Sequence, residues 1–91
     1  MSMRIKMESK AVFVKFRSIA HARALQKVLM NKDYLWESGL GMLWYPWYDM
    51  QPVTWPICYI IRTDTKRVRF SVMNDALNRA EWYDNFDKSI L

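Results

Sequence analysis

Five cations stand where strands of a sheet would bring them to one surface: Lys15, Arg17, Arg62, Arg67 and Arg69. Guanidinium groups grip phosphates and carboxylates through paired N–H donors, so this set can bind an anion, whether nucleic acid, a nucleotide or an acidic protein surface. The same charges can equally serve to protect an edge hairpin from aggregation. A second set is aromatic. Residues 33–61 hold four of the five tryptophans and four of the five tyrosines without one lysine or arginine. Trp and Tyr supply large contact area at low entropic cost and are enriched where proteins grip other molecules. Trp44, Tyr45, Trp47 and Tyr48 crowd around Pro46, and four such rings cannot all turn inward. Either one or two of them face outward as a contact patch, or the loop folds onto the core. This segment is acidic, with Asp49 and no cation, which favours a protein partner over nucleic acid there.

Catalytic chemistry is poorly supplied. A Cys–His nucleophilic pair needs both groups to meet beside an orienting third. His21, the only histidine, falls in a helical segment and Cys58, the only cysteine, in a distant strand. The ordinary reading is a surface histidine and a buried or half-buried thiol, with no catalytic residue. Carboxylates at Asp33, Glu37, Asp49, Asp64, Asp75, Glu81, Asp84 and Asp87 follow no metal-ligand spacing. Gly39-Leu40-Gly41 has neither a dinucleotide fingerprint nor a P-loop ending, and is a structural turn. No metal or cofactor is expected.

The 91 residues suit one domain spanning 1–91, with 1–8 and 88–91 loose, and the 52% hydrophobic content is enough to fold it. The net charge of +5 is uneven: residues 1–32 carry eight cations against Glu8, whereas residues 73–91 are net acidic. Such asymmetry can steer an anionic partner. No apolar run approaches a bilayer span and the first residues lack a signal-peptide pattern, so the expectation is a cytoplasmic protein away from membranes. A lone thiol suits that reducing compartment.

These side chains must be carried by a few short elements. Ala11–Arg17 is β-branched and aromatic, with Val12, Val14 and Phe16 on one face and Phe13, Lys15 and Arg17 on the other. Ser18 caps a helix to about Asn31, in which Ile19, Ala22, Leu25, Val28 and Leu29 form the inward stripe. Asp33–Glu37 and Met42–Tyr45 read as arms of a hairpin turned by Gly39 and Gly41, and Pro46–Pro56 as an ordered aromatic loop. Residues 57–62 and 67–72 flank Thr63–Lys66 as a second hairpin. Pairing Arg62 with Arg67 turns Ile57, Tyr59, Ile61, Val68, Phe70 and Val72 to the core, and Cys58, Ile60, Arg62, Arg67, Arg69 and Ser71 to the other face. Asn74 caps a last helix, from Asp75 to about Phe86, turning Leu77, Ala80 and Tyr83 or Trp82 inward. The order β-α-β-β-β-β-α predicts an α+β fold, a small single-layer antiparallel or mixed sheet packed by two helices.

The run Val12-Phe13-Val14-Lys15-Phe16, the helix with Ala22, Leu25, Gln26 and Leu29, the Tyr34-x-Trp36-x-x-Gly39 turn and the apolar Ile57–Ile61 strand resemble small accessory proteins of tailed bacteriophages, over roughly residues 11–72. The aromatic loop between Trp44 and Trp55 departs from that pattern. The resemblance implies a non-enzymatic phage protein in the bacterial host cytosol, acting on a host or defence protein. In that reading the aromatic loop anchors the contact, the basic hairpin attracts an acidic rim, and the protein inhibits its target by occlusion. The alternative is a module binding nucleic acid or a signalling nucleotide through the basic face. An exposed aromatic patch on so short a chain also makes a homodimer reasonable.

Overall fold

The computed structural model describes residues 11–41 and 55–91. The expected strand 42–45, most of the aromatic loop with Trp44, Tyr45, Trp47 and Tyr48, and the first ten residues lie outside the described residues. Within them the chain forms β1 (Ala11–Phe16), α1 (Ile19–Asn31), β2 (Leu35–Trp36), β3 (Ile57–Arg62), β4 (Arg67–Ser71), α2 (Asn74–Arg79) and β5 (Glu81–Trp82). Two 3-10 turns follow, at Tyr83–Asn85 and Lys88–Ile90. The strands join in one sheet of order β2-β4-β3-β1-β5. Its centre is antiparallel, and each two-residue edge strand runs parallel to its neighbour. This is the α+β class, a mixed sheet with two helices.

Central position explains the composition of β3. All of Ile57–Ile61 is buried, because helices cover both faces of the sheet. On one face α1 lays Ala22, Leu25 and Leu29 over Val14, Phe16, Ile57, Tyr59, Ile61 and Val68. Tyr59 centres this core, with Phe16 and Trp36 edge-on to its ring at 4.8 and 5.7 Å. Its hydroxyl donates to Ala22 O and Gln26 Oε1, which is why the polar Gln26 holds a buried place in a helix stripe otherwise apolar. Ile19, expected in that stripe, is instead 41% exposed.

Capping fixes where α1 begins and ends. Ser18 Oγ accepts from the His21 N–H, as a Ser N-cap should. At the far end Asp33 takes a left-handed φ of 67°, while Tyr34 N–H bonds Leu29 O and Asp33 N–H bonds Met30 O. This is a Schellman ending built on an aspartate where glycine is usual. Lys66, at the turn between β3 and β4, donates from Nζ to Lys32 O and so places a cation at the negative helix end.

Three details differ from the sequence expectation, each for a local reason. Val72, expected on the core face, is 55% exposed. Strand β4 ends at Ser71, whose Oγ accepts from Met73 N–H and turns the chain away. Asn74 is the first residue of α2 and not its cap, since Met73 holds the capping position without a side-chain bond. The last helix stops at Arg79 and does not run to Phe86. Ala80 becomes extended, and Glu81–Trp82 pair with Val14–Lys15 along the sheet edge. A six-residue helix has little stability of its own. It holds because Ala76, Leu77 and Ala80 pack on Phe13, Cys58 and Ile60, a second small core on the opposite sheet face. The chain end also folds back, with Leu91 O accepting from Tyr34 Oη.

Candidate functional site

Where β1 runs into α1, the sheet edge opens into a cleft of about 460 Å3 lined by Lys15, Arg17, Ser18, His21, Trp82 and Tyr83, with Asp84 and Phe16 completing it. Strand pairing builds it. Lys15 and Trp82 are register partners, so both side chains leave the same sheet face, and Arg17 follows two residues on. The Arg17 guanidinium lies 4.0 Å from the centre of the Trp82 ring and Lys15 Nζ 4.6 Å from it. Such stacking holds a cation in place without neutralising it. Lys15 Nζ also donates to Leu77 O, tying the cleft to α2. Among the described residues neither cation forms an ion pair with a carboxylate. On the opposite wall His21 stacks on Tyr83 at 4.4 Å, and its Nε2 is 3.7 Å from Asp84 Oδ1. Lys88 lies over the Tyr83 ring at 4.1 Å. The first turn of α1, at the cleft mouth, carries no acidic residue.

The other three expected anion-binding residues lie elsewhere on that sheet face. Arg62 does face Arg67 across β3 and β4, and Arg69 faces Ile60. Lys15 pairs with Cys58, four residues along β3 from Arg62 and two from Ile60, the partner of Arg69, so along the strands Arg62 is offset from Lys15 by about 13 Å and Arg69 by about 7 Å, with β3 between. Between them sits α2 on Phe13, Cys58 and Ile60. The five cations therefore form two groups separated by a helix. The hairpin group is also partly neutralised: Arg62 Nε is 3.9 Å from Asp64 and Arg69 Nε 3.8 Å from Glu37.

A different surface borders β2. Trp36, Glu37, Ser38, Leu40, Val68, Arg69 and Phe70 line a groove of about 360 Å3. The turn that shapes it places Gly39 at φ 97°, with Trp36 N–H bonding Leu40 O and Gly39 N–H bonding Trp36 O. Leu40 is left 49% exposed at the rim. Gly41 bridges back to Leu35, and from there the chain enters the aromatic segment 42–54. At that segment's other end the Trp55 ring meets Phe16 edge-on at 6.2 Å. The flanking residues Gly41 and Trp55 thus both belong to the folded body.

Comparison of the chain with family models, curated proteins and solved structures finds no match. The surfaces must be judged on their own chemistry. Cys58 is wholly buried beneath α2, and burial pushes its thiol up to about 11 against the opposing pull of Arg69 and Lys15. His21 belongs to α1, on the other side of the sheet, so the fold does not bring the two together. No trio of His, Cys, Asp or Glu able to hold a metal occurs among the described residues, and no helix among them is long and apolar enough to cross a membrane.

Of the residues expected from the sequence to bind an anion, Lys15 and Arg17 line this cleft, and its other lining residues Trp82, His21 and Asp84 are not among them. The sequence pattern puts Trp82 in a helix, and only its pairing with Lys15 shows what it faces. One signal was available in the chain: Trp82-Tyr83-Asp84 joins two rings and an acid, as the aromatic middle does.

Proposed function

We propose that this chain is a non-enzymatic, phage-encoded binding protein that inhibits or redirects a bacterial host or defence protein by covering one of its surfaces. The observation that carries this reading is the apolar groove beside β2, with exposed Leu40 on its rim, two residues before the Trp- and Tyr-rich segment 42–54 in the sequence. Interfaces of this kind have an apolar, aromatic centre and a charged border. Leu40, Trp44, Tyr45, Trp47 and Tyr48 supply the centre, while Arg69 and Glu37 stand at the border. The protein acts in the host cytosol, where a single buried thiol is stable, and a second copy of the chain is a competing occupant of the same surface.

The test is capture from bacterial lysate with nuclease present, using the wild type, Leu40→Glu and Trp47→Ala. The wild type should retain one protein at stoichiometric level and both variants should lose it, with unchanged circular dichroism. Equal capture by all three would remove the occlusion reading, and unfolding of the Trp47 variant would assign that ring to the core. A second reading, anion binding by the basic face, is supported by the β5 cleft, where Trp82 holds Lys15 and Arg17 and neither meets a carboxylate among the described residues.

A further inference from the structure

The β5 cleft is graded in charge from one end to the other. Lys15 and Arg17 stand at one end, the stacked rings of His21 and Tyr83 form the wall, and the carboxylate of Asp84 lies beyond. The Trp82 ring holds the Arg17 guanidinium 4.0 Å from its centre, and a guanidinium presents its donors at the edge of its plane, where they can meet a phosphate in bidentate fashion. Lys15 is held by Leu77 O and adds a second point charge. Two cations match one phosphate monoester, which carries about −1.5 to −2 at neutral pH. A chain of phosphates would bring more charge than the pair neutralises and would run into Asp84. That carboxylate accepts hydrogen bonds and so favours a hydroxyl- or amine-bearing group at its end. The volume of about 460 Å3 is within the range of sites for small ligands and holds one nucleoside unit.

We propose that this cleft binds a nucleoside monophosphate, with the phosphate between Lys15 and Arg17, the base along the His21–Tyr83 wall, and Asp84 accepting from the ribose or the base. This rests on the anion-binding reading and narrows it. It also moves the site from the hairpin arginines to the β1–α1 junction, so Arg62 and Arg67 take no part.

Calorimetric titration of the full chain with adenosine monophosphate tests it, beside adenosine, inorganic phosphate and a single-stranded oligonucleotide of about eight residues. The monophosphate should bind at least tenfold tighter than either of its halves. Arg17→Gln, at an exposed position, should weaken it by tenfold or more, whereas Arg67→Gln should leave it within twofold. Asp84→Asn should weaken the monophosphate while leaving phosphate alone unchanged. In two-dimensional spectra the His21 ring and the Trp82 indole should shift on binding. Affinity for the monophosphate no better than for inorganic phosphate, or no loss on Arg17→Gln, would overturn the proposal. Tight binding of the oligonucleotide without the monophosphate would overturn it too, and would leave the broader anion-binding reading standing. Failure of all four ligands would remove both.

Discussion

The two edge strands of the sheet are alike in being two residues long and parallel to their neighbours, but the surfaces beside them differ in chemistry. Next to β5, Arg17 and Lys15 rest on an indole and meet no carboxylate among the described residues. Next to β2, Arg69 has Glu37 within 3.8 Å, and the groove floor is apolar. An arginine stacked on a ring keeps its charge available to a ligand, whereas one beside an exposed carboxylate has part of its field offset locally. Counting cations therefore does not locate an anion site. What each cation rests on does.

The sharpest way to break this contrast is to remove the core that both edges share. Tyr59 touches Phe16 on the β5 side and Trp36 on the β2 side. Tyr59→Ala should cost about 3–5 kcal/mol in urea denaturation and abolish both surfaces together. Loss of Leu40-dependent capture with the β5 cleft intact would mean that the two edges fold independently.

A smaller effect concerns the residue lying between them. Cys58 is buried with Lys15 on one side and Arg69 on the other, and its thiol is raised from about 9 to about 11. An acid whose folded pKa is raised contributes stability that is fully present below its unfolded value and lost as pH rises through the folded value. The stability advantage of wild type over Cys58→Ala should therefore shrink between pH 9 and 11, as read from urea midpoints. Iodoacetamide should leave the folded thiol unmodified at pH 8. Rapid alkylation there would show that α2 opens readily and that the thiolate can reach the cations.

The smallest effect sharpens the comparison on one side only. Arg62 and Arg67 are direct cross-strand partners, and like charges so placed oppose pairing. Asp64 is 3.9 Å from Arg62 Nε, which makes no hydrogen bond among the described residues. Arg67→Glu should raise stability by about 0.5–1 kcal/mol and leave the β5 cleft unaffected. A loss of nucleotide binding in that variant would join the two cationic groups into one site.

Much of the scaffold was legible because it depends on neighbours in sequence. The alternation in Ala11–Phe16, the Ser18 cap, the turn at Gly39 and the register that sets Arg62 against Arg67 all follow from local period and turn chemistry. Local period also misled. Residues 80–86 continue a plausible helix pattern, but pairing of Glu81–Trp82 with β1 offers their backbone bonds that the helix does not, and such pairing is invisible from either segment alone.

The amino-acid sequence by itself determined the α+β class, the basic frame around an aromatic middle, the central hairpin and the identity of most core residues, since these rest on composition and on short-range periodicity. Only the tertiary structure decided that α2 covers the second sheet face, that it divides the five cations into two groups, and that Arg17 meets Trp82 from the far end of the chain. The physical reason is that charge and aromatic character belong to single residues, whereas what lies opposite a side chain is set by strand pairing across many residues of chain.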